Sequence, residues 1–164
     1  LQGSDFEVKN GAEIKNVNGR AVYADGGEVT VGGTISGITG NPAMWQGKEG
    51  TAIHLRNKAS GTLLSGGVIK EISGTGSSAV YVHTSTLNCN KESKICGCDS
   101  VGILSVYCDS NWNKGRNIVS FDGELSGTLN NKNPFQIACT DLTIGKNAKI
   151  HGNSAYYGDY IRIP

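Results

Sequence analysis

Two segments of the chain carry the side chains best suited to chemistry, TAIHLRN at residues 51–57 and SAVYVHT at residues 78–84. In both segments, polar or aromatic residues alternate with aliphatic ones, which places them on the outer face of a strand whose aliphatic side chains enter a core. The outward residues are His54, Arg56, Tyr81 and His83. A neighbouring tyrosine and histidine can serve as base and acid in a metal-free polysaccharide lyase. For an enzyme, the catalytic residues would therefore be His54, Tyr81 and His83.

The composition of the chain favours one all-β domain over residues 1–164. The chain contains 24 glycines and 3 prolines, with 37% apolar and 18% charged residues, which is too apolar for a disordered chain and too rich in glycine for a helical protein. Its 15 basic and 14 acidic side chains are interspersed, so we expect neither nucleic acid nor an anionic membrane surface as a partner. The chain has no apolar run of transmembrane length, and we expect neither a signal peptide nor membrane insertion by this segment.

Six related blocks recur along the chain, each with an alternating apolar pair, a turn rich in Gly, Asn or Lys, and an aliphatic anchor. The anchors lie 21 to 34 residues apart and are Ile14, Ile35, Ile69, Ile95, Leu125 and Ile150. A second alternating pair follows each anchor: Val22/Ala24, Ile53/Leu55, Val80/Val82, Leu104/Val106, Phe135/Ile137 and Ile161/Ile163. Repeats of this length are typical of solenoids, in which a coil buries its apolar face against its neighbours. The pattern predicts a single all-β solenoid of about six coils.

The segments GGTISG, GGVIKEISG, GTAIHL and SSAVYV carry a family resemblance. They resemble the G-G-x-I-x-G-N and G-G-A-[IV]-x-V repeats of adhesin-like proteins of bacterial surfaces, in the style of autotransporter passengers and polymorphic outer-membrane proteins. The resemblance implies a right-handed parallel β-helix that is secreted or displayed on the cell surface, either whole or as a fragment of a longer surface protein. The chain departs from such passengers in one respect, because they are usually poor in cysteine and this chain has five.

Stacking the six coils predicts two outer columns on one face. The first column would contain Tyr23, His54, Tyr81, Ser105, Gln136 and Arg162, and the second Asp25, Arg56, His83, Tyr107 and Ala138. The predicted ligand-binding residues of this face are Tyr23, His54, Arg56, Tyr81, His83 and Tyr107. The alternative is a solvated β face, on which tyrosine, histidine and arginine are favoured by strand propensity and cross-strand pairing.

Two insertions flank this face in the predicted solenoid. The anchor spacing lengthens to 34 residues after Ile35 and to 30 residues after Ile95, and the extra segments are TGNPAMWQGKEG and CDSNWNKGR. Each contains one of the two tryptophans, Trp45 and Trp112, and exposed aromatic rings can stack on sugars. We predict both tryptophans as rim residues of the binding face, with shielding of a solenoid corner as the alternative.

The five cysteines predict disulfides rather than a regular zinc site, because their spacing is C-x6-C-x-C-x9-C followed by Cys139. Stacking Leu104 on Phe135 and Val106 on Ile137 places Cys108 against Cys139, and this pair is the first predicted bridge. Cys89 with Cys98, or with Cys96, is the second. A reduced cysteine ladder and a four-thiolate metal site remain alternatives, and two disulfides would indicate an extracellular setting.

Catalytic carboxylates and cofactor sites are not indicated by the sequence. The 14 carboxylates are scattered, without the clusters of a calcium-dependent lyase or the acid and base pair of a hydrolase. DSNWNKG from Asp109 resembles a calcium loop, but its glycine comes one place late and Ser120 stands where the loop needs Glu. We expect no cofactor and no metal. The predicted function is a non-enzymatic module that binds a polysaccharide, a surface glycan or a host or partner protein. A polysaccharide lyase or hydrolase acting on the same face and a purely structural spacer or assembly module are the alternatives.

Overall fold

Three short strands follow one another in each of six successive coils of the computed structural model. The structure describes residues 2–40, 50–74, 76–99, 101–107, 116–128, 134–152 and 161–162, without the side chains of 106, 107, 161 and 162. Coils 1 to 3 contain β1 (Phe6–Val8), β2 (Glu13–Asn18), β3 (Arg20–Asp25), β4 (Glu28–Val31), β5 (Thr34–Thr39), β6 (Thr51–Arg56), β7 (Ser60–Leu63), β8 (Val68–Ser73) and β9 (Ser78–His83). Coils 4 to 6 contain β10 (Thr86–Cys89), β11 (Lys94–Cys98), β12 (Val101–Tyr107), β13 (Asn117–Phe121), β14 (Glu124–Thr128), β15 (Phe135–Ile137), β16 (Thr140–Ile144), β17 (Lys149–His151) and β18 (Ile161–Arg162).

Equivalent strands of successive coils pair in parallel and form three sheets of six strands. Sheet 1 starts with β1, sheet 2 with β2 and sheet 3 with β3. The fold is therefore all-β, a parallel β-helix of six coils, which confirms the predicted fold class. The predicted anchors pair along sheet 2 in the order Ile14, Ile35, Ile69, Ile95, Leu125 and Ile150. The described residues contain no helix, and hence none long and apolar enough to cross a membrane.

Sheet 2 bends in every coil at one residue in the left-handed backbone conformation. These residues stack and have φ between 59° and 65°: Asn16, Gly37, Glu71, Gly97, Gly127 and Gly152. The bend interrupts the two-residue alternation, so that buried side chains lie three positions apart, as Ile69 and Ile72 do. Glycine adopts this conformation without steric cost and asparagine tolerates it, which leaves Glu71 as the strained member of the column.

The core is a continuous stack of aliphatic side chains between the three sheets. It includes Phe121 and Phe135, whose rings meet edge to face with their centroids 5.2 Å apart. The partly exposed apolar residues that pack against this core all belong to the first and last coils: Phe6, Ile14, Val17, Ala21, Leu142, Ala148 and Ile150. Inner coils are covered on both sides, whereas an end coil has one described neighbour, and this explains the difference in burial.

In coil 4 the inward-facing residues differ from the predicted ones by one position. The sequence pattern predicts Leu104 and Val106 as the inward pair, but Ile103 pairs with Phe135 and Ser105 pairs with Ile137. Ile103 and Ser105 are fully buried. The prediction was wrong because positions 103 and 104 are both apolar, so that the alternation fits either register. A register shift after Leu104 then restores the pairing of later residues in β12 with β9.

Candidate functional site

The outer face of sheet 3 holds three stacked rings, which we call the aromatic column: Tyr23, His54 and Tyr81. Their pairing follows from the parallel register of β3, β6 and β9. The centroids of the Tyr23 and His54 rings lie 5.1 Å apart in an edge-on arrangement, and those of His54 and Tyr81 lie 4.5 Å apart. The register continues this column with Leu104, Gln136 and Arg162, so Leu104 takes the place predicted for Ser105.

The aromatic column points outward but is not the exposed face that the sequence predicts for a binder. The side chains of His54 and Tyr81 are only 7% and 9% exposed. Ala52 and Ala79, which also point outward from β6 and β9, are fully buried. Strands β6 and β9 are therefore covered on both faces, and their rings form a packed layer outside the core.

The environment of His54 keeps its imidazole neutral. Burial is the main cause and, together with the positive charges of Arg20, His83 and Arg56, lowers the pKa of His54 to about 3. The nearby carboxylate of Asp25 acts in the opposite direction. The Nε2 atom of His54 is buried and has no hydrogen-bond partner among the described residues. His54 therefore carries no charge near neutral pH.

A second column, which we call the polar column, runs beside the rings and consists of Asp25, Arg56 and His83. The register pairs Asp25 with Arg56 and Arg56 with His83, and it places Tyr107 next to His83, as predicted. Arg56 Nη1 donates a hydrogen bond to Tyr23 Oη over 3.1 Å, and Arg56 Nε lies 3.9 Å from Asp25 Oδ2. The side chains of Arg56 and Asp25 are 39% and 28% exposed, so a ligand can reach this column.

Neighbouring groups also change the pKa of the histidine in the polar column. Burial, together with the positive charge of Arg56, lowers the pKa of His83 below its ordinary value. Both histidines of sheet 3 therefore lose their protons more readily than a solvated histidine. Near neutral pH, the fixed charges of the polar column are the guanidinium of Arg56 and the carboxylate of Asp25.

Two contributors to this face were missed by the sequence reasoning. Asn57 Nδ2 donates a hydrogen bond to Asp25 Oδ1 over 2.5 Å, and the guanidinium carbon of Arg20 lies 5.2 Å from the centroid of the Tyr23 ring. Asn57 has a φ of 52°, and asparagine directly after a strand is a turn signal that could have been used. Arg20 gave no such signal, because its place in the alternation assigns it to the inward side of β3.

The predicted rim of the face lies largely outside the described residues. Trp45 and Trp112 both belong to segments that the structure does not describe, and the side chain of Tyr107 is not described either. Their assignment as ligand-binding residues stays a prediction.

The second predicted disulfide does not form in the structure. Cys89, Cys96 and Cys98 are free thiols, and burial raises the pKa of Cys89 and of Cys98 to about 12. Cys89 lies on sheet 1 and Cys98 on sheet 2. Both side chains point into the common core, where they pack as small apolar side chains. The stacking of Leu104 on Phe135, used to pair Cys108 with Cys139, was wrong by one residue, but the register shift after Leu104 restores the predicted register at Tyr107. Cys108 lies outside the described residues, so this bridge stays a prediction.

Metal-binding geometry is absent from the described part of the chain, in which three or more His, Cys, Asp or Glu side chains nowhere come together in a suitable group. The DSNWNKG segment from Asp109 lies outside the described residues. The polar column of sheet 3 thus offers hydrogen-bond donors and one ion pair, a set that suits binding of a polar ligand.

No family model, no curated protein and no solved structure matches this chain.

Proposed function

We propose that the chain is a non-enzymatic, adhesin-like module that binds a glycan or a partner protein through the polar column of sheet 3. The observation that carries this proposal is the state of Arg56. Its side chain is 39% exposed and is held in place by Tyr23 through Nη1 and by the carboxylate of Asp25 beside the buried Nε.

A guanidinium held in this way is well prepared to bind. Its planar fork of N–H donors matches the oxygens of a carboxylate or of neighbouring sugar hydroxyls. Because Tyr23 and Asp25 already restrict the side chain, binding costs less conformational entropy than it would for a free arginine. The aromatic column beside it supports this arrangement, because Tyr23 belongs to that column and its ring packs on His54.

The properties of His54 favour binding over catalysis. A lyase or hydrolase on this face needs an acid or base that exchanges protons near the working pH. His54 has a pKa of about 3, because its burial disfavours the charged form, and its Nε2 atom is closed to solvent. His83 remains reachable but its pKa is also lowered. These properties support a binder rather than the alternative enzyme on the same residues.

We place the module outside the cell, secreted or at the cell surface, on the strength of the repeat resemblance. A partner in that setting is a polysaccharide, a surface glycan or a protein of a host or neighbouring cell. A pure spacer or assembly module would use the same fold without any ligand at Arg56.

The test is a glycan array, extended to immobilised extracellular proteins, probed with the wild-type chain and with Arg56→Lys. Lysine keeps the charge but loses the fork, so we expect at least about a tenfold loss of affinity for the bound ligand. Arg116→Lys is the matched control, because Arg116 is paired with Asp141 on sheet 1, away from this face. Equal affinity of Arg56→Lys and wild type would reject the polar column as the site, and an array without any hit would favour the spacer.

A further inference from the structure

The corners between sheets 1 and 2 differ in length along the solenoid. In coils 4 and 6 the corner has four residues, 90–93 and 145–148, whereas in coil 5 it is only Asp122 and Gly123. The short corner of coil 5 thus lies between two longer ones. A cleft results at this place, because the middle corner does not reach as far from the axis as its neighbours. We call this cleft the coil-5 notch.

Glycine allows the short corner to pack closely against coil 4. A Cβ atom at Gly123 would clash with backbone and side-chain oxygens of Ser93. The backbone hydrogen bonds continue through the corner, from Asp122 N to Cys89 O over 2.8 Å and from Lys149 N to Gly123 O over 2.9 Å. The notch is therefore a built feature of the coil stack with a fixed floor.

Asp122 lies at the floor of the notch and already accepts hydrogen bonds there. Its two carboxylate oxygens accept hydrogen bonds of 2.8 Å from the backbone N and the side-chain Nδ2 of Asn147. These hydrogen bonds lower the pKa of Asp122, and the positive charges of Lys146 and Lys91 lower it further. Both lysines line the groove at the notch.

Four lysines line a groove of about 640 Å³ at the notch: Lys91, Lys94, Lys146 and Lys149. Two of them have carboxylate partners, Lys91 with Glu92 at 3.8 Å and Lys94 with Glu124 at 3.5 Å. Glu124 is also contacted by His151 at 3.4 Å.

Lys146 and Lys149 form no ion pair within the part of the chain that the structure describes. The groove therefore holds two exposed ammonium groups outside these ion pairs, beside the carboxylates of Glu92 and Glu124, which also line it.

A second groove adjoins the first one at Lys91 and has a different chemistry. Its volume is about 430 Å³, and hydroxyl and amide side chains line its wall: Ser65, Asn88, Asn90, Ser120 and Thr143. Asn88, Ser120 and Thr143 are stacked in register on the outer face of sheet 1. Side chains of this kind bind the hydroxyl groups of sugars. A polymer lying across Lys91 would meet hydroxyl-binding side chains on one side and ammonium groups on the other.

We propose that the coil-5 notch is a second binding site, independent of the polar column, for an acidic polysaccharide with carboxylate or sulfate groups. The anionic groups bind at Lys146 and Lys149, and the sugar hydroxyls bind along Asn88, Ser120 and Thr143. The short corner of coil 2, Gly32 and Gly33, has the same length but lies between corners with Lys9 as their one charged residue. The site therefore belongs to coil 5 rather than to short corners in general.

Affinity for three polymers of matched length tests this site: dextran sulfate, polygalacturonate and uncharged dextran. We expect the wild-type chain to bind one or both acidic polymers and not dextran. The double variant Lys146→Gln/Lys149→Gln should weaken this binding by about tenfold or more at moderate salt. The control is Lys9→Gln/Lys15→Gln, which removes the same charge from coil 1 and should stay within about twofold of wild type. Comparing the sulfated and the carboxylated polymer identifies which anion the site prefers.

Several outcomes would overturn the site. Equal losses in both double variants would mean that only net charge attracts the polymer. Binding of dextran, or of none of the three polymers, would reject an acidic ligand. Binding of poly-glutamate as strong as that of the sugars would point to an acidic protein as partner and reject the polysaccharide. The same loss should appear when Lys146→Gln/Lys149→Gln is introduced into the Arg56→Lys chain, so failure at the notch and failure at the polar column can be told apart.

Discussion

The imidazole ring of His54 packs on the phenol ring of Tyr81 with their centroids 4.5 Å apart, while its Nε2 atom is buried without a hydrogen-bond partner in the described part of the chain. The pKa of His54 is about 3 in the folded chain, against an ordinary value of 6.5. Between these two values the unfolded chain binds a proton that the folded chain does not. The contribution of His54 to the free energy of unfolding is therefore fully present above pH 6.5 and is lost as the pH falls from 6.5 towards 3.

We predict that His54→Phe is at least as stable as wild type at pH 7 and clearly more stable at pH 5. Phenylalanine keeps a ring in the aromatic column and removes a buried polar atom that has no partner. Thermal unfolding followed by circular dichroism at both pH values measures this. Phe135→Leu is the control, because it removes a fully buried ring that carries no titratable group and should lower stability equally at both pH values. The pKa of His83 is also lowered, so His83 makes stability fall with pH in the same direction in both chains. The prediction fails if His54→Phe and wild type lose equal stability on acidification.

Ser105 and Thr140 provide a test of the register in coil 4. Their hydroxyl oxygens lie 2.8 Å apart, and Ser105 is fully buried. We predict that Ser105→Ala lowers the free energy of unfolding by about 1 kcal/mol, and by less in a Thr140→Val background. Urea denaturation of the two single variants and the double variant measures the coupling. Ser126→Ala, at a partly exposed position, should change stability by less than about 0.5 kcal/mol. If Ser105→Ala lowers the free energy of unfolding by no more than Ser126→Ala does, the side chain of Ser105 points outward and the register is contradicted.

Glu71 provides a test of the bend in sheet 2. It has a φ of 59° in a column otherwise made of glycine and asparagine. We predict that Glu71→Gly raises the free energy of unfolding by about 0.5 to 1 kcal/mol, because relief of the left-handed strain exceeds the entropy cost of glycine. Lys70→Gly, one residue earlier and with ordinary φ, should lower stability. A loss of stability in both variants would contradict the strain at Glu71.

The free thiols differ in reactivity. Cys89 and Cys98 are buried, and burial raises their pKa to about 12, whereas Cys96 is partly exposed and its pKa is raised less. We predict that iodoacetamide modifies Cys96 first in the folded chain, and slowly, while Cys89 and Cys98 react only after unfolding. Peptide mass spectrometry after timed labelling identifies the modified residues. Rapid labelling of Cys89 in the folded chain, or a disulfide between Cys89 and Cys98, would contradict the structure.

The fold was predictable because the spacing of the apolar residues shows the repeat. The six anchors from Ile14 to Ile150 stack in the predicted order, since a buried aliphatic position in one coil requires another above it. The alternation failed at Leu104, where two adjacent apolar residues fit either register and the bulge that decides between them leaves no mark in the sequence. The bend of sheet 2 was partly indicated by Gly37, Gly97 and Gly127, which are suited to a left-handed conformation. Glu71 at the equivalent position gives no such indication.

The candidate site was predictable only as a set of positions. The alternation correctly places His54 and Tyr81 on the outer side of their strands, but it contains no information about what covers that side, and both are buried. Likewise, the hydrogen bond from Arg56 to Tyr23 joins residues 33 apart and depends on side-chain conformation, which periodicity does not determine. The coil-5 notch was missed because it results from a difference in corner length, and lysines in a turn are otherwise typical of a solvated surface.

The most direct test of the proposed function is a ¹⁵N heteronuclear NMR titration of the intact chain with the strongest ligand from the array. We predict saturable shift changes centred on the polar column, at Asp25, Arg56 and His83, together with a change at the Arg56 Nε–H. Arg56→Lys should abolish them at the same ligand concentration. Saturable changes confined to sheet 1, sheet 2 or the coil-5 notch, with sheet 3 unperturbed, would contradict the assignment of the polar column as the binding site.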